Sequence, residues 1–337
     1  MTEARGDGAR ITVVVPVRDE AGTVGVSLES LAAQSLGPEQ IDVLVYDGLS
    51  SDETAEAARA FGTRHSWHRF EVVTNPELTV PHALNAALEL TRTTYFTRLD
   101  GRTRLSPDYL ETCISEVEAK GAGTAAGGLF VAEAEGPGAE AIASAVTHPF
   151  GVGKGFRTLT TSSEVSHHPF AVWRADDVRS LGGFDTELTR NQDDEFSMRA
   201  RAQGFRIYAA YPAFATYRPR ERYRGLAMQY FQYGLWKSAV GRERGLFPLR
   251  SLAPGGATAL WIGSCGAALR RHYAPALSLV AIYVIAGALV SRKRSEAGPV
   301  RTALALALAH LAYGGGILSG AAWPRLARTG LGSLRVR

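Results

Sequence analysis

Residues 11–20 read ITVVVPVRDE, a run of β-branched residues that stops at the polar triplet Arg18-Asp19-Glu20. A short apolar run without alternation is the pattern of a strand buried on both faces, as in a parallel sheet. Its polar end opens a ligand crevice. Working outward, residues 22–36 place Val24, Leu28, Leu31 and Ala32 on one helical face. Residues 41–46 (IDVLVY) form a second buried strand, followed by Asp47-Gly48 and Ser50-Ser51-Asp52. A helical pattern at 54–61 and a third strand at 71–74 come next. Residues 81–90 are again helical, and 95–99 (YFTRL) form a strand delivering Asp100. This alternation predicts an α/β fold with a doubly wound, mostly parallel central sheet and flanking helices. Ligands bind outside the carboxyl ends of such strands, which directs Asp47 and Asp100 to one crevice.

The average composition, 45% hydrophobic and 21% charged over 337 residues, conceals two unlike parts. Residues 1–213 hold 19 Lys and Arg against 30 Asp and Glu, whereas 214–337 hold 18 against 3, so nets of −11 and +15 make the total of +4. An acidic front on a basic, apolar tail suggests a cytosolic catalytic domain on a membrane-facing module, because Lys and Arg are drawn to anionic headgroups. The tail contains uncharged runs at 251–269, 273–290 and 302–323, which argues against a nucleic-acid partner. The middle run of 18 residues would span about 27 Å as a helix, and the last is interrupted by Gly314-Gly315-Gly316. Arg270-Arg271 and Arg292-Lys293-Arg294 flank the middle run on both sides and leave its orientation open. Cys113 and Cys265 are far apart, with neither a disulfide framework nor a zinc spacing. The polar N-terminus runs directly into a strand, with no cleavable signal peptide expected. The domains read as a flexible 1–10, a catalytic 11–213, basic and aromatic interface helices at 214–250, hydrophobic membrane-associated helices at 251–324, and a basic tail at 325–337.

Residues 181–199, LGGFDTELTRNQDDEFSMR, join a tight turn to three consecutive carboxylates, Asp193, Asp194 and Glu195. Adjacent like charges raise at least one pKa, which suits a general base, whereas acids at a helix start also simply favour the macrodipole. Residues 148–157, HPFGVGKGFR, form a Gly-rich loop with two basic residues that could cover a diphosphate.

PVRDE at 16–20, the acidic turn at Asp47, ALNAAL at 83–88, RLD at 98–100, GGFD at 182–185 and QDDE at 192–195 occur in order. In this the chain resembles family 2 glycosyltransferases of the GT-A fold over residues 11–240. It is most similar to succinoglycan-type exopolysaccharide members through FGVGKGFR, YRPR and QYFQYGLWK. The resemblance implies a membrane-associated, inverting hexosyltransferase on the cytoplasmic face. Its donor would be a nucleotide sugar, UDP-linked and of the UDP-glucose kind, and its acceptor a lipid-linked saccharide or growing polysaccharide. It places Pro16, Arg18, Glu20, Asp47, Asp100 and Arg102 at the nucleotide sugar. Asp193 takes the base position, with Asp194 second. Glu195, Arg199, Trp236 and Lys237 fall on the acceptor and diphosphate side. Asp47 could instead close an Asx turn, Glu20 could be a helix-start charge, and Trp236 a buried anchor. Arg218 to Arg224 would meet headgroups or a lipid-linked pyrophosphate, or form a solvated segment.

The resemblance also implies Mn²⁺ or Mg²⁺ held by a DxD motif. Here the motif reads Asp100-Gly101-Arg102, and arginine carries donors only. Two arrangements follow: Asp100 holds metal with waters and the diphosphate, with or without a histidine from elsewhere for which His148, His167 and His168 are candidates, or Arg102 takes over part of the ion's role by pairing with phosphate. Two rivals remain. An inactive membrane scaffold would fit the lost acid and Gln192, and a nucleotidyltransferase would want a basic Gly-rich loop where PVRDE is acidic.

Overall fold

The computed structural model describes residues 8–152, 156–188, 191–244, 252–293 and 296–322. The expected tail 325–337, residues 1–7 and the Gly153 to Gly155 part of the Gly-rich loop lie outside them. In chain order the elements are β1 Ile11–Val17, α1 Val24–Ala32, β2 Ile41–Asp47, α2 Thr54–Gly62, β3 Arg69–Thr74, α3 Val80–Leu90, β4 Tyr95–Arg98, β5 Arg104–Leu105, α4 Tyr109–Lys120 and β6 Thr124–Ala132. They continue with α5 Pro137–Val146, α6 Pro149–Val152, β7 Ser163–Val165, β8 Trp173–Arg174, α7 Ala175–Ser180, α8 Gln192–Ala202, β9 Arg206–Tyr217, α9 Tyr223–Arg244, α10 Leu252–Leu269, α11 Ala274–Val290 and α12 Pro299–Ala322.

Contacts divide the chain into two compact units, Met1–Val131 with Leu159–Tyr217, and Ala132–Thr158 with Arg218–Arg337. The first unit is built on a five-stranded sheet of order β3-β2-β1-β4-β8. β1 pairs parallel with β2 and β4, β2 pairs parallel with β3, and β8 joins β4 antiparallel. Ile11, Val13, Val15 and Val17 of β1 and Ile41, Val43 and Val45 of β2 enter one core with Leu28 and Leu31 of α1, Phe61 of α2 and Ile114 of α4. This is the period-two side-chain rule acting on a strand that is also covered on its other side, where α3 lies against β1. A second sheet, β5-β9-β6 with β7 on β9, is tied to the first by a bridge between Ala126 and Val172.

The second unit is not made of the C-terminal helices alone. It takes in α5 and α6, because α5 buries Ile142, Ala145 and Val146 and packs on α12. At Gly151 of α6 a Cβ would collide with the Ala145 carbonyl, so this close approach demands glycine. α12 runs unbroken from Pro299 to Ala322. The small residues there admit neighbouring backbones: a Cβ at Gly314 would strike the Pro254 carbonyl of α10, and one at Gly316 the Phe231 carbonyl of α9. Close backbone contact at small residues is how apolar helices pack when lipid offers no hydrophobic drive. His310 of α12 adds a polar tie, with its ring nitrogens 2.8 Å from the Tyr283 hydroxyl and 2.9 Å from the Phe150 carbonyl. Ala274–Lys293 and Pro299–Ala322 are long and apolar enough to cross a membrane, by length and composition only.

Candidate active site

Strand register assembles the site. Val17 of β1 is level with Asp47 of β2, and Asp47 with Thr74 of β3, while Val14 is level with Arg98 of β4. The segments 18–20, 48–52 and 100–102 therefore leave the sheet along one edge. Pro16 helps to open it. Leu99 N–H donates to the Val14 carbonyl and Gly48 N–H to that of Val17, so even-numbered residues of β1 address β4. The missing N–H of Pro16 faces β4 beyond Val14↔Arg98, where the ladder has ended, and costs no bond.

The loops after β1 and β2 are stitched together. The Asp19 carboxylate accepts from the Ser51 N–H at 2.8 Å, and the Asp52 carboxylate from the Ala21 N–H at 3.2 Å. The Glu20 N–H donates to the Thr54 hydroxyl at 2.8 Å, which itself donates to Asp52. This hydroxyl bond leads the causes that hold the Asp52 carboxyl below its ordinary range. Asp47, 8% exposed, accepts from the Ser50 N–H at 3.1 Å and from the Ser50 hydroxyl. It thus ties down the loop at the carboxyl end of a central strand through Ser50, three residues on rather than the two of an Asx turn.

Glu20 lies directly on the DGR motif, since a Cβ at Gly101 would collide with its carboxylate. Burial pushes its carboxyl up to about 7, with Asp100 and Asp52 adding to the rise and Arg102 opposing it. Asp100 Oδ1 is 3.1 Å from Arg98 Nε, and the Arg98 guanidinium lies over the Phe170 ring. Arg18 packs beside Gly48, and Arg102 is exposed.

The acidic stretch forms the first turn of α8, entered through Asn191 in the left-handed region (φ 57°). Asp193 and Asp194 are half-buried, and Asp194 Oδ1 is 3.7 Å from His167 Nδ1. Glu195 and Arg199 pair with each other within the fold. Glu195 is 1% exposed and takes Arg199 at 3.0 and 3.1 Å, while Arg199 also donates to the carbonyls of Leu181 and Gly183. The pair clamps the GGFD turn to α8. From the other side Asn85 of α3 completes the turn, its side chain accepting from the Phe184 N–H and donating to the Phe184 carbonyl, each at 2.8 Å. In the sequence Asn85 stands out only as the polar residue of the otherwise apolar run ALNAAL. Trp236 and Lys237 lie buried in α9 of the second unit.

These residues do not fit a side-chain metal cage. Among the described residues no group of three or more His, Cys, Asp or Glu converges to hold a cation by side chains alone. His168 cannot supply the missing ligand, because its Nε2 bonds the Gly128 carbonyl at 2.7 Å and its Nδ1 accepts from the Phe170 N–H at 3.2 Å. Burial lowers its pKa to about 3 and keeps the ring neutral. His148 belongs to the second unit.

The model of the family described as "Glycosyl transferase family 2" matches residues 12–181, which include Arg18, Glu20, Asp47, Asp100 and Arg102 and stop short of α8. Succinoglycan biosynthesis protein ExoA of Rhizobium meliloti is 28% identical over 248 residues, covering 72% of this chain and 73% of that protein. A dolichyl N-acetyl-alpha-D-glucosaminyl phosphate 3-beta-D-2,3-diacetamido-2,3-dideoxy-beta-D-glucuronosyltransferase of Methanococcus voltae is 23% identical over 255 residues, covering 73% and 78%. Among solved structures, mannosyltransferase PcManGT of Pyrobaculum calidifontis, in complex with GDP-Man and Mn²⁺, superposes with a TM-score of 0.60 at 19% identity, covering 94% of this chain and 88% of its own, and so shares the GT-A fold. With the family match spanning half of the chain, the protein belongs to the family 2 glycosyltransferases.

Proposed function

We propose that the protein transfers a sugar, with inversion, from a nucleoside diphosphate donor, UDP-linked, to a lipid-linked saccharide or growing polysaccharide at the cytoplasmic face of the cell membrane. The observation that carries this reading is the gathering of Asp47, Arg18, Glu20 and the DGR motif along one carboxyl edge of a parallel sheet. A nucleotide sugar needs such an edge, with a carboxylate for base and ribose and positive charge for the diphosphate. In the transfer the acceptor oxygen attacks the anomeric carbon and its proton passes to the Asp193 carboxylate. The bond from that carbon to the diphosphate oxygen breaks, with the electron pair leaving on the diphosphate. Asp194 is the second candidate for the base, and its approach to His167 favours Asp193.

The acceptor class rests on the names of the two relatives, a succinoglycan biosynthesis protein and a dolichyl-phosphate-saccharide transferase. Membrane attachment rests on α11 and α12 and on the outward Leu277, Val280, Ile282 and Ile285 of α11. Trp236 and Lys237 are proposed to act on the acceptor side, the ring by stacking and the ammonium by charge. The test is a panel of UDP-, GDP- and dTDP-sugars against the full chain in detergent, read by thermal shift and by sugar transfer to membrane lipid extract. A shift and transfer with UDP-sugars is expected. A response to GDP-sugars alone overturns the donor assignment, and inertness toward every donor overturns the enzyme in favour of a scaffold.

A further inference from the structure

We propose that this chain holds the donor diphosphate with guanidinium groups, Arg102 above all, in place of the divalent cation bound in family members that keep both acids of DxD. The inference rests on the nucleotide-sugar reading above and concerns how the leaving group is neutralised. Four observations converge on it. The third motif position is Arg102, exposed at the strand edge beside Glu20. The one remaining acid, Asp100, lies 3.1 Å from Arg98 Nε, so a cation there would be placed against a guanidinium already beside the carboxylate. The histidines that could complete a cage are otherwise placed: His168 is fixed to backbone on both nitrogens, and His167 stands at Asp194. Finally, Arg18 Nε is a buried donor that makes no hydrogen bond among the described residues.

Buried donors without acceptors are unfavourable unless a ligand supplies the acceptors, and phosphate oxygens are the acceptors that a guanidinium fork matches best. The register adds the geometry. Arg18 follows β1 and Arg98 ends β4, neighbouring strands whose ladder stops at Val14↔Arg98, and Arg102 lies on the same edge. A diphosphate lying across that opening meets guanidinium groups from both strands. Positive charge fixed in advance on the protein then stabilises the negative charge that builds on the departing diphosphate, the service that a bound cation performs elsewhere.

The test is calorimetric titration of UDP, and separately of inorganic pyrophosphate, into the full chain in detergent, once with EDTA and once with Mn²⁺. UDP affinity is expected to agree within about twofold between the two buffers. Arg102→Ala, at an exposed position that leaves the fold intact, should weaken UDP by about tenfold or more, and Arg102→Lys by less. Arg102→Asp, which restores the second acid, should bind UDP only when Mn²⁺ is present. Wild-type binding that is lost in EDTA, or Arg102→Ala binding as tightly as wild type, overturns the proposal and leaves the donor reading intact. Failure of both UDP and pyrophosphate to bind in either buffer overturns both.

Discussion

Replacing Glu20 with glutamine should make the protein more stable at alkaline pH and leave it unchanged in acid. The Glu20 carboxyl is raised from an ordinary 4.5 to about 7, chiefly because it is buried against Gly101, with Asp100 and Asp52 contributing and Arg102 opposing. A raised carboxyl means that the folded state holds the proton more tightly than the unfolded state. Its stability is therefore complete below 4.5, falls as pH rises, and reaches its lower plateau above about 7. The difference of about 2.5 pH units corresponds to roughly 3 kcal/mol between the plateaus, at about 1.4 kcal/mol per unit. Glutamine mimics the protonated acid and removes this dependence. The assay is denaturant unfolding of wild type and Glu20→Gln at a series of pH values, followed by tryptophan fluorescence. The two curves should coincide near pH 4.5 and separate by about 3 kcal/mol near pH 8, with the variant above. A variant that is less stable at every pH, or a wild type with no slope between those values, refutes the reasoning.

Breaking the α8 clamp by Glu195→Gln leaves Arg199 without its buried counter-charge and should cost about 3–5 kcal/mol, measured as a lowered unfolding midpoint. Asn85→Ala removes both partners of the Phe184 peptide and should cost about 2–3 kcal/mol by the same assay. Gly316→Leu forces a side chain into the Phe231 carbonyl of α9 and should lower the detergent melting temperature, by about 1–3 kcal/mol in stability or more, whereas Gly256→Ala, where a Cβ meets nothing, should not.

The parallel core was legible because β1, β2 and β4 are written in local composition: β-branched runs ended by polar residues need no distant partner to be recognised. The shorter strands were not. β5 and β8 are two residues each and exist only through pairing with β9 and β4. β9 carries Pro212, which argues against a strand, yet the residue lies between the segments paired with β7 and β5. Likewise the grouping of 132–158 with the C-terminal helices depends on what α5 packs against, which its alanine-rich sequence does not specify. At the site, residue types announced Asp47, Asp100 and the α8 acids as candidates. Their contacts depend on partners far along the chain: Arg199, paired with Glu195, reaches the turn at Leu181 and Gly183, and His168 bonds the carbonyl of Gly128, 40 residues away.

The most direct test of the central claim compares transfer by wild type, Asp193→Asn and Asp194→Asn at saturating donor, with nucleotide binding measured on the same preparations. Asp193→Asn should bind donor as wild type does and lose transfer by about 10²–10⁴-fold, while Asp194→Asn should lose less. Undiminished transfer by Asp193→Asn, with donor bound normally, would contradict the assignment of the base.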